Sequence, residues 1–103
     1  MNLVAVTACP TGIAHTYMAA ERLEKTGKKL GLTIKVETQG AMGIENELSP
    51  SEIRDAAAVI FAVGIPVRKR DRFEGKRIIE IAVQDAIKKP EEILAKIKAD
   101  LGG

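Results

Sequence analysis

The chain alternates short apolar runs with stretches of helical periodicity, and this alternation restricts it to a small set of folds. Residues 3–8 and 58–63 are nearly continuous apolar runs, which is typical of strands buried on both faces of a sheet. Residues 33–38 alternate apolar and polar side chains and predict another strand, and residues 76–81 predict a fourth. Strands that alternate with helices pair in parallel, because right-handed crossovers connect them.

The segments between the strands have helical patterns. Apolar side chains recur at helical spacing over residues 13–30, and again over residues 85–87 and 93–101. Ser49, with a proline directly after it and Glu52 three residues on, predicts a capping box that starts a short helix. These helices supply the crossovers that a parallel sheet requires.

Together these elements predict an α/β fold, a single small three-layer domain over residues 1–103 with an open four-stranded parallel sheet of Rossmann-like type. A chain of 103 residues fits one hydrophobic core. Residues 39–43 are predicted to be a glycine-bearing loop, and the polar residues 67–75 a loop with one helical turn. Such sheets bind ligands at the carboxyl ends of their strands, so a site is expected where the first strand ends.

Cys9 is the single cysteine, and it lies where the first predicted strand ends and a helix begins. A helix N-terminus carries about half a positive charge, which favours thiolate over thiol, and its N–H groups can bind phosphate oxygens. Gly12 leaves space for a phosphate to approach the backbone, and the threonines nearby offer hydroxyl donors. The predicted phosphate-binding residues are Pro10, Thr11, Gly12, Ile13, Ala14 and Thr16.

Position alone leaves two interpretations of Cys9 open, a nucleophile and a buried strand-end residue that serves only in packing. A cysteine phosphatase would carry an arginine six residues after its cysteine, to bind phosphate bidentately. That position is His15, the single histidine, so phosphatase chemistry is disfavoured whereas a phosphocysteine is not. His15 could orient the sulfur, donate to a phosphate oxygen or transfer a proton, or it could be an exposed helix residue without a role.

The overall composition argues against several other classes. With a net charge of +2, two Phe, one Tyr and no Trp, no nucleic-acid partner is expected. One cysteine and one histidine argue against a zinc site, and we expect neither a metal nor an organic cofactor. No apolar run reaches the roughly 20 residues of a membrane span, and the first residues have no signal-peptide pattern, so a cytoplasmic location is expected.

Three segments, taken in order, match one known pattern. Residues 4–16 read Val-Ala-Val-Thr-Ala-Cys-Pro-Thr-Gly-Ile-Ala-His-Thr, residues 35–40 read Lys-Val-Glu-Thr-Gln-Gly, and residues 72–76 read Arg-Phe-Glu-Gly-Lys. The first resembles the phosphorylation-site motif of fructose-family enzyme IIB domains of the bacterial phosphoenolpyruvate-dependent sugar phosphotransferase system. The second resembles that family's second strand and loop, and the third another family segment, so that the resemblance extends from residue 3 to about residue 88.

The resemblance implies a phosphotransferase that works through phosphocysteine. Cys9 would accept a phosphoryl group from a phosphohistidine of enzyme IIA and pass it to a sugar bound by the membrane component, enzyme IIC. Fructose is the default sugar, and mannose or mannosyl-glycerate are the alternatives. The protein would then lie at the inner face of the membrane, associated with or fused to enzyme IIC, with an open parallel α/β sheet as its fold.

One position departs from the family pattern. Members often have an acidic residue late in the third strand, as in Ala-Ala-Asp, whereas residues 62–64 here read Ala-Val-Gly. The departure bears on the sugar and on pairing with the partner more than on the phosphoryl chemistry.

Two groups of residues are candidate docking surfaces around Cys9. The first is an apolar rim, for which ordinary packing is the alternative, and it comprises Pro10, Ile13, Tyr17 and Met42. The second is a basic run that fits either an acidic partner or a solvated loop, and it comprises Arg68, Lys69, Arg70 and Arg72. Glu37 and Gln39 end the second strand at the same sheet edge, and fit either a neighbour of the site or a polar strand exit.

A regulatory module that keeps the fold and uses Cys9 only as a sensor, or not at all, is the alternative to a transferase.

Overall fold

The computed structural model describes residues 1–10, 13–41 and 43–102. Within these ranges the strands are β1 (Asn2–Ala8), β2 (Thr33–Gly40), β3 (Gly43–Glu45), β4 (Val59–Val63) and β5 (Ile78–Ile81). The helices are α1 (Ile13–Lys29), α2 (Pro50–Asp55), α3 (Val83–Lys88) and α4 (Pro90–Asp100), and a 3-10 turn spans Arg70–Phe73. The predicted helical turn in the polar loop is therefore confirmed.

The strands form one sheet in the order β3-β2-β1-β4-β5. Strands β2 and β4 flank the central β1 in parallel, and β5 continues the sheet in parallel beyond β4. The four predicted parallel strands are thus confirmed. Its register pairs Thr7 with Thr38 and Ala8 with Val63, so the carboxyl ends of β1, β2 and β4 meet at one edge, called here the carboxyl edge.

A fifth strand corrects the prediction for residues 39–43. Residues Gln39 and Gly40 extend β2, and Gly43 opens β3, which pairs antiparallel with β2 and makes the sheet mixed. A three-residue strand is too short to show alternation, and its first residue is a glycine at φ +94°, which is typical of a turn. The sequence pattern therefore concealed the hairpin.

Helices cover both faces of the sheet, which confirms the three-layer prediction. On one face, α1, α3 and α4 enclose a core that includes Ala5 and Ile60 from the sheet. On the other, α2 and the 3-10 turn cover a smaller core, where the rings of Phe61 and Phe73 pack edge to face with centroids 5.3 Å apart. Opposite faces carry the crossovers on either side of β1, so the strand order reverses at β1, and Cys9 follows directly after it.

The helical tail is divided in two. Pro90 begins α4 directly after Lys89, because proline cannot continue the preceding helix but suits a first helical position. Across the described ranges, each helix falls short of the length and apolarity that a membrane crossing requires.

Helix α2 begins with the predicted capping box. The Glu52 N–H donates to Ser49 Oγ over 3.2 Å, and the Ser49 N–H donates to Glu52 Oε1 over 2.8 Å. The Lys35 ammonium on β2 also donates to Glu52 Oε1 at 2.8 Å, so this carboxylate joins the helix to the sheet. The Lys35 ammonium and the Ser49 N–H together lower the pKa of Glu52 from 4.5 to about 2.

The lowered pKa of Glu52 predicts a specific acid dependence. A carboxylate whose pKa is lower in the folded state stabilises the fold above its unfolded pKa and loses that contribution as the pH falls. For Glu52 the loss spans pH 4.5 down to about 2. Glu52→Gln should therefore lower the free energy of unfolding at pH 7 and leave a difference from wild type that shrinks across this window.

Urea unfolding at several pH values measures that difference. Glu24→Gln is the matched control, because Glu24 is exposed on α1 with no ion pair in the described part of the chain. A Glu52→Gln deficit that stays constant from neutral pH to pH 2 would show that the carboxylate charge is not the cause.

Candidate active site

Cys9 lies at the carboxyl edge, between the end of the central strand β1 and the first turn of α1. Its side chain belongs to the core on the α1 face of the sheet and is 7% exposed. The first turn of α1 contains no acidic residue, while Lys28 and Lys29 occupy its last turn. The positive end of the α1 dipole therefore faces the Cys9 end without a compensating carboxylate, which favours the thiolate.

His15 is close to the sulfur. Its Nδ1 lies 3.8 Å from Cys9 Sγ, a separation at which either the thiol or an Nδ1–H can be the donor, depending on the tautomer. The histidine is exposed in the first turn of α1, whereas the sulfur is mostly buried. The imidazole is therefore positioned to meet both the sulfur and a group approaching from outside.

A hydrogen bond ties the end of β1 to α1. The Thr7 hydroxyl donates to the Thr16 carbonyl over 3.2 Å, and both residues are buried. The Thr16 hydroxyl is itself buried and has no hydrogen-bond partner among the residues described. Burying a hydroxyl without a hydrogen-bond partner costs free energy, and a bound anion that accepts from it would remove that cost. The Thr16 hydroxyl is therefore a candidate donor to an anion.

The predicted phosphate-binding residues are only partly within the described structure. Thr11 and Gly12 lie outside the described residues, and for Ile13 only the backbone is described, as the first residue of α1. Pro10 and Ala14 are exposed on either side of these positions. Of the predicted rim, Met42 is also outside the described residues, and Tyr17 is exposed with its hydroxyl donating to Glu45 on β3. The Glu45 carboxylate raises the pKa of Tyr17 above its ordinary value.

Gly64 packs against Pro10, the residue after Cys9, a contact that the sequence did not predict. Its N–H donates to the carbonyl of Ala8 over 2.8 Å, directly beyond the last β4 residue. A β-carbon added at Gly64 would lie 2.9 Å from Cδ of Pro10, closer than such atoms approach in proteins. Gly64, the position at which fructose-family IIB domains often have an acidic residue, therefore lies very close to Pro10, the residue after Cys9.

Glu37 is fully buried in the second half of β2 and is held by four hydrogen bonds. Arg72 forms a bidentate pair with it, at 2.8 and 2.9 Å, while the Leu48 N–H and the Gln39 amide donate over 3.0 and 2.7 Å. Burial alone would raise the pKa of Glu37, but Arg72, Leu48 and Gln39 outweigh it and lower the pKa below its ordinary value. Glu37, Gln39 and Arg72 are called here the Glu37 cluster.

The local chemistry around Cys9 is suited to a nucleophile that handles an anion. A thiolate-favouring helix end, an adjacent imidazole and a donor hydroxyl can each act on a phosphoryl group. Over residues 1–10, 13–41 and 43–102, no group of three or more His, Cys, Asp or Glu side chains is arranged to hold a metal ion.

Known proteins resemble this chain over most of its length. A family model described as "PTS system, Lactose/Cellobiose specific IIB subunit" matches residues 4–96. The "PTS system fructose-like EIIB component 2" of Escherichia coli (strain K12) is 48% identical over 100 residues, which cover 97% of this chain and 94% of that protein. The "PTS system fructose-specific EIIABC component" of Bacillus subtilis (strain 168) is 49% identical over 95 residues, covering 92% of this chain and 15% of that protein.

A solved structure shows the same architecture. The solution structure of the enzyme IIB subunit of the PTS system from Escherichia coli K12 aligns with a TM-score of 0.92 and 40% identity, covering 98% of this chain and 94% of that one. The fold and these relatives thus define a phosphotransferase component of a sugar transport system. The chain belongs to the IIB family of the bacterial sugar phosphotransferase system, within its fructose-like members.

Proposed function

We propose that Cys9 is the phosphoryl acceptor of this IIB component and carries the group as phosphocysteine. The observation that carries the proposal is the place of Cys9, at the end of the central strand and before α1, with His15 Nδ1 3.8 Å from its sulfur. Dipole and imidazole together favour a thiolate, which is the form that attacks phosphorus.

Two in-line displacements make up the proposed cycle. In the first, the Cys9 thiolate attacks phosphorus, the S–P bond forms, and the P–N bond of a donor phosphohistidine breaks with its electron pair returning to nitrogen. In the second, a sugar hydroxyl oxygen attacks the same phosphorus, loses its proton to a base, and displaces the thiolate. In this cycle we propose that His15 donates to phosphoryl oxygens, with the Thr16 hydroxyl and the first N–H groups of α1 as further donors; the 3.8 Å separation of His15 from Cys9 and the buried Thr16 hydroxyl support these roles.

The proposed partners are enzyme IIA as donor and a membrane enzyme IIC that presents the sugar. Support comes from the Bacillus subtilis relative, whose name joins A, B and C components in one protein. Fructose is the proposed sugar, because the names of the relatives refer to fructose. A cytoplasmic position at the inner face of the membrane follows if the donor is cytosolic and the acceptor sugar enters through IIC.

Intact-mass measurement tests the proposal. The chain is incubated with a fructose-type IIA, the general phosphotransferase components and phosphoenolpyruvate, with and without Cys9→Ser. A gain of one phosphoryl group that the substitution removes is expected. No gain with any IIA, on folded protein, would favour the regulatory module, and steady turnover of p-nitrophenyl phosphate would favour a phosphatase.

Gly64 supplies a geometric prediction for the same assay. Gly64→Ala should displace Pro10 and with it the neighbouring Cys9, because the added β-carbon would lie 2.9 Å from Pro10 Cδ. Since small displacements of reacting groups are costly, the rate of transfer from IIA should fall by on the order of tenfold. Gly40→Ala, at the end of β2, is the control, because nothing lies within 4 Å of a β-carbon added there. Equal rates for the two variants would mean that the Pro10 contact does not position the site.

A further inference from the structure

The four basic residues of the loop after β4 do not have equivalent surroundings. Arg72 is bound to Glu37, Arg70 pairs with Glu80 at 3.1 Å, and Lys69 pairs with Glu47 at 3.0 Å. The exposed guanidinium of Arg68 has no hydrogen bond or ion pair within the part of the chain that the structure describes. Three of the four cations are therefore engaged internally, and Arg68 remains available to another molecule.

The backbone of Arg68, in contrast, is held firmly. Its N–H donates to Gln39 Oε1 over 2.7 Å, and its carbonyl accepts from Gln39 Nε2 over 3.1 Å and from Arg72 Nη2 over 3.2 Å. Gln39 is almost fully buried and is itself fixed by the bond to Glu37. Two side chains, the buried Gln39 and the partly buried Arg72, thus make three hydrogen bonds to the main chain of one residue whose own side chain points to solvent.

This arrangement places Arg68 at the carboxyl edge. Gln39 follows Thr38, which pairs with Thr7, so Gln39 lies beside the last residues of β1. The loop that leads to Arg68 starts at Gly64, whose N–H is bonded to Ala8. Both ends of the segment 64–68 are therefore hydrogen-bonded beside the end of β1, the strand that Cys9 follows.

We propose that Arg68 is a docking residue for the phosphorylated donor protein, and that the Glu37 cluster is the device that positions it. The inference rests on the proposed function, because the partner is the domain that brings the phosphoryl group to Cys9. A phosphoryl group carries close to two negative charges, and an arginine binds such oxygens bidentately. A cation at the rim of a docking surface acts mainly on the association rate and its salt dependence.

Stopped-flow association with phosphorylated IIA tests the proposal, in a Cys9→Ala background that prevents transfer. Arg68→Gln should lower the association rate constant about threefold to fivefold at low salt, and the difference should vanish near 1 M salt, where charges are screened. Arg77→Gln is the control, since it removes the same charge from the exposed residue before β5, at the opposite edge of the sheet. Arg68→Lys should recover part of the rate.

Steady-state transfer with Cys9 intact supplies the second readout. Arg68→Gln should raise KM for phosphorylated IIA and leave kcat unchanged, whereas a merely structural defect would lower kcat. Association rates that match those of Arg77→Gln within twofold, or an equal loss toward unphosphorylated IIA, would overturn the assignment. If wild type accepts no phosphoryl group, the proposed function fails and this inference with it. If wild type accepts it and Arg68→Gln does so at an equal KM, the docking inference alone fails.

Discussion

Sugar phosphorylation should fall by on the order of 10³-fold or more when Cys9 is replaced by serine, because the chain then lacks the thiolate that attacks phosphorus. A serine hydroxyl remains protonated near pH 7, and the helix dipole and His15 cannot make it a comparable nucleophile. The measurement is the rate of sugar phosphate formation by the reconstituted system, with the variant in place of wild type.

The unfolding midpoint provides the control for this loss. Cys9 is mostly buried in the core on the α1 face, so a polar replacement should cost some stability, about 1–2 kcal/mol. A folded domain with stability in the usual range tolerates that loss. Sugar phosphorylation by folded Cys9→Ser within tenfold of the wild-type rate would exclude Cys9 as the carrier.

Arg72→Ala should destabilise the fold by about 3–5 kcal/mol, because it leaves the Glu37 carboxylate buried without its ionic partner. Glu37 is 0% exposed and the Arg72 side chain only 18%, so water cannot replace the lost bidentate pair. The free energy of unfolding, measured in urea at pH 7, should show a loss comparable with a large share of the total stability of an ordinary domain.

Two comparisons identify the buried charge as the cause. Lys25→Gln breaks an ion pair with Glu21 in which both side chains are mostly exposed, at 76% and 66%, and should cost less than about 1 kcal/mol. The double variant Glu37→Met/Arg72→Met should be less destabilised than Arg72→Ala, because it removes the orphaned charge. A double variant as unstable as the single one would show that the loss comes from packing.

The pH dependence of this effect has a defined sign. The lowered pKa of Glu37 means that its contribution is present above the unfolded value of 4.5 and is lost as the pH falls. Without Arg72, burial is no longer outweighed and the pKa of Glu37 should rise. The difference in free energy of unfolding between wild type and Arg72→Ala should therefore be largest near neutral pH and should decrease in acid.

Local chemistry explains which elements could be predicted from the sequence. The apolar runs of β1 and β4, and the capping box of α2, are complete within a few consecutive residues. The 3.8 Å separation of Cys9 Sγ and His15 Nδ1 also follows from local spacing, because the two residues are 6 positions apart in the sequence. The short strand β3 could not be predicted, since its pairing depends on the neighbouring edge of β2.

Contacts between distant segments could not be predicted from pattern. Glu37 and Arg72 are 35 positions apart, and each is as compatible with a solvated surface as with a buried pair. The closeness of Gly64 to Pro10 likewise depends on the parallel register of β1 and β4. Sequence reasoning placed Glu37 and Gln39 at the correct edge, but their role in holding the backbone of Arg68 required the tertiary structure.

The central claim is that the phosphoryl group resides on the sulfur of Cys9, and ³¹P NMR of the chain after transfer from IIA tests it most directly. Phosphorus bonded to sulfur, nitrogen or oxygen resonates in distinct ranges. We predict one resonance in the S-phosphoryl range that is absent in Cys9→Ser and retained in His15→Asn. A resonance in the N-phosphoryl range that survives Cys9→Ser and disappears in His15→Asn would contradict the account, because it would make His15 the carrier.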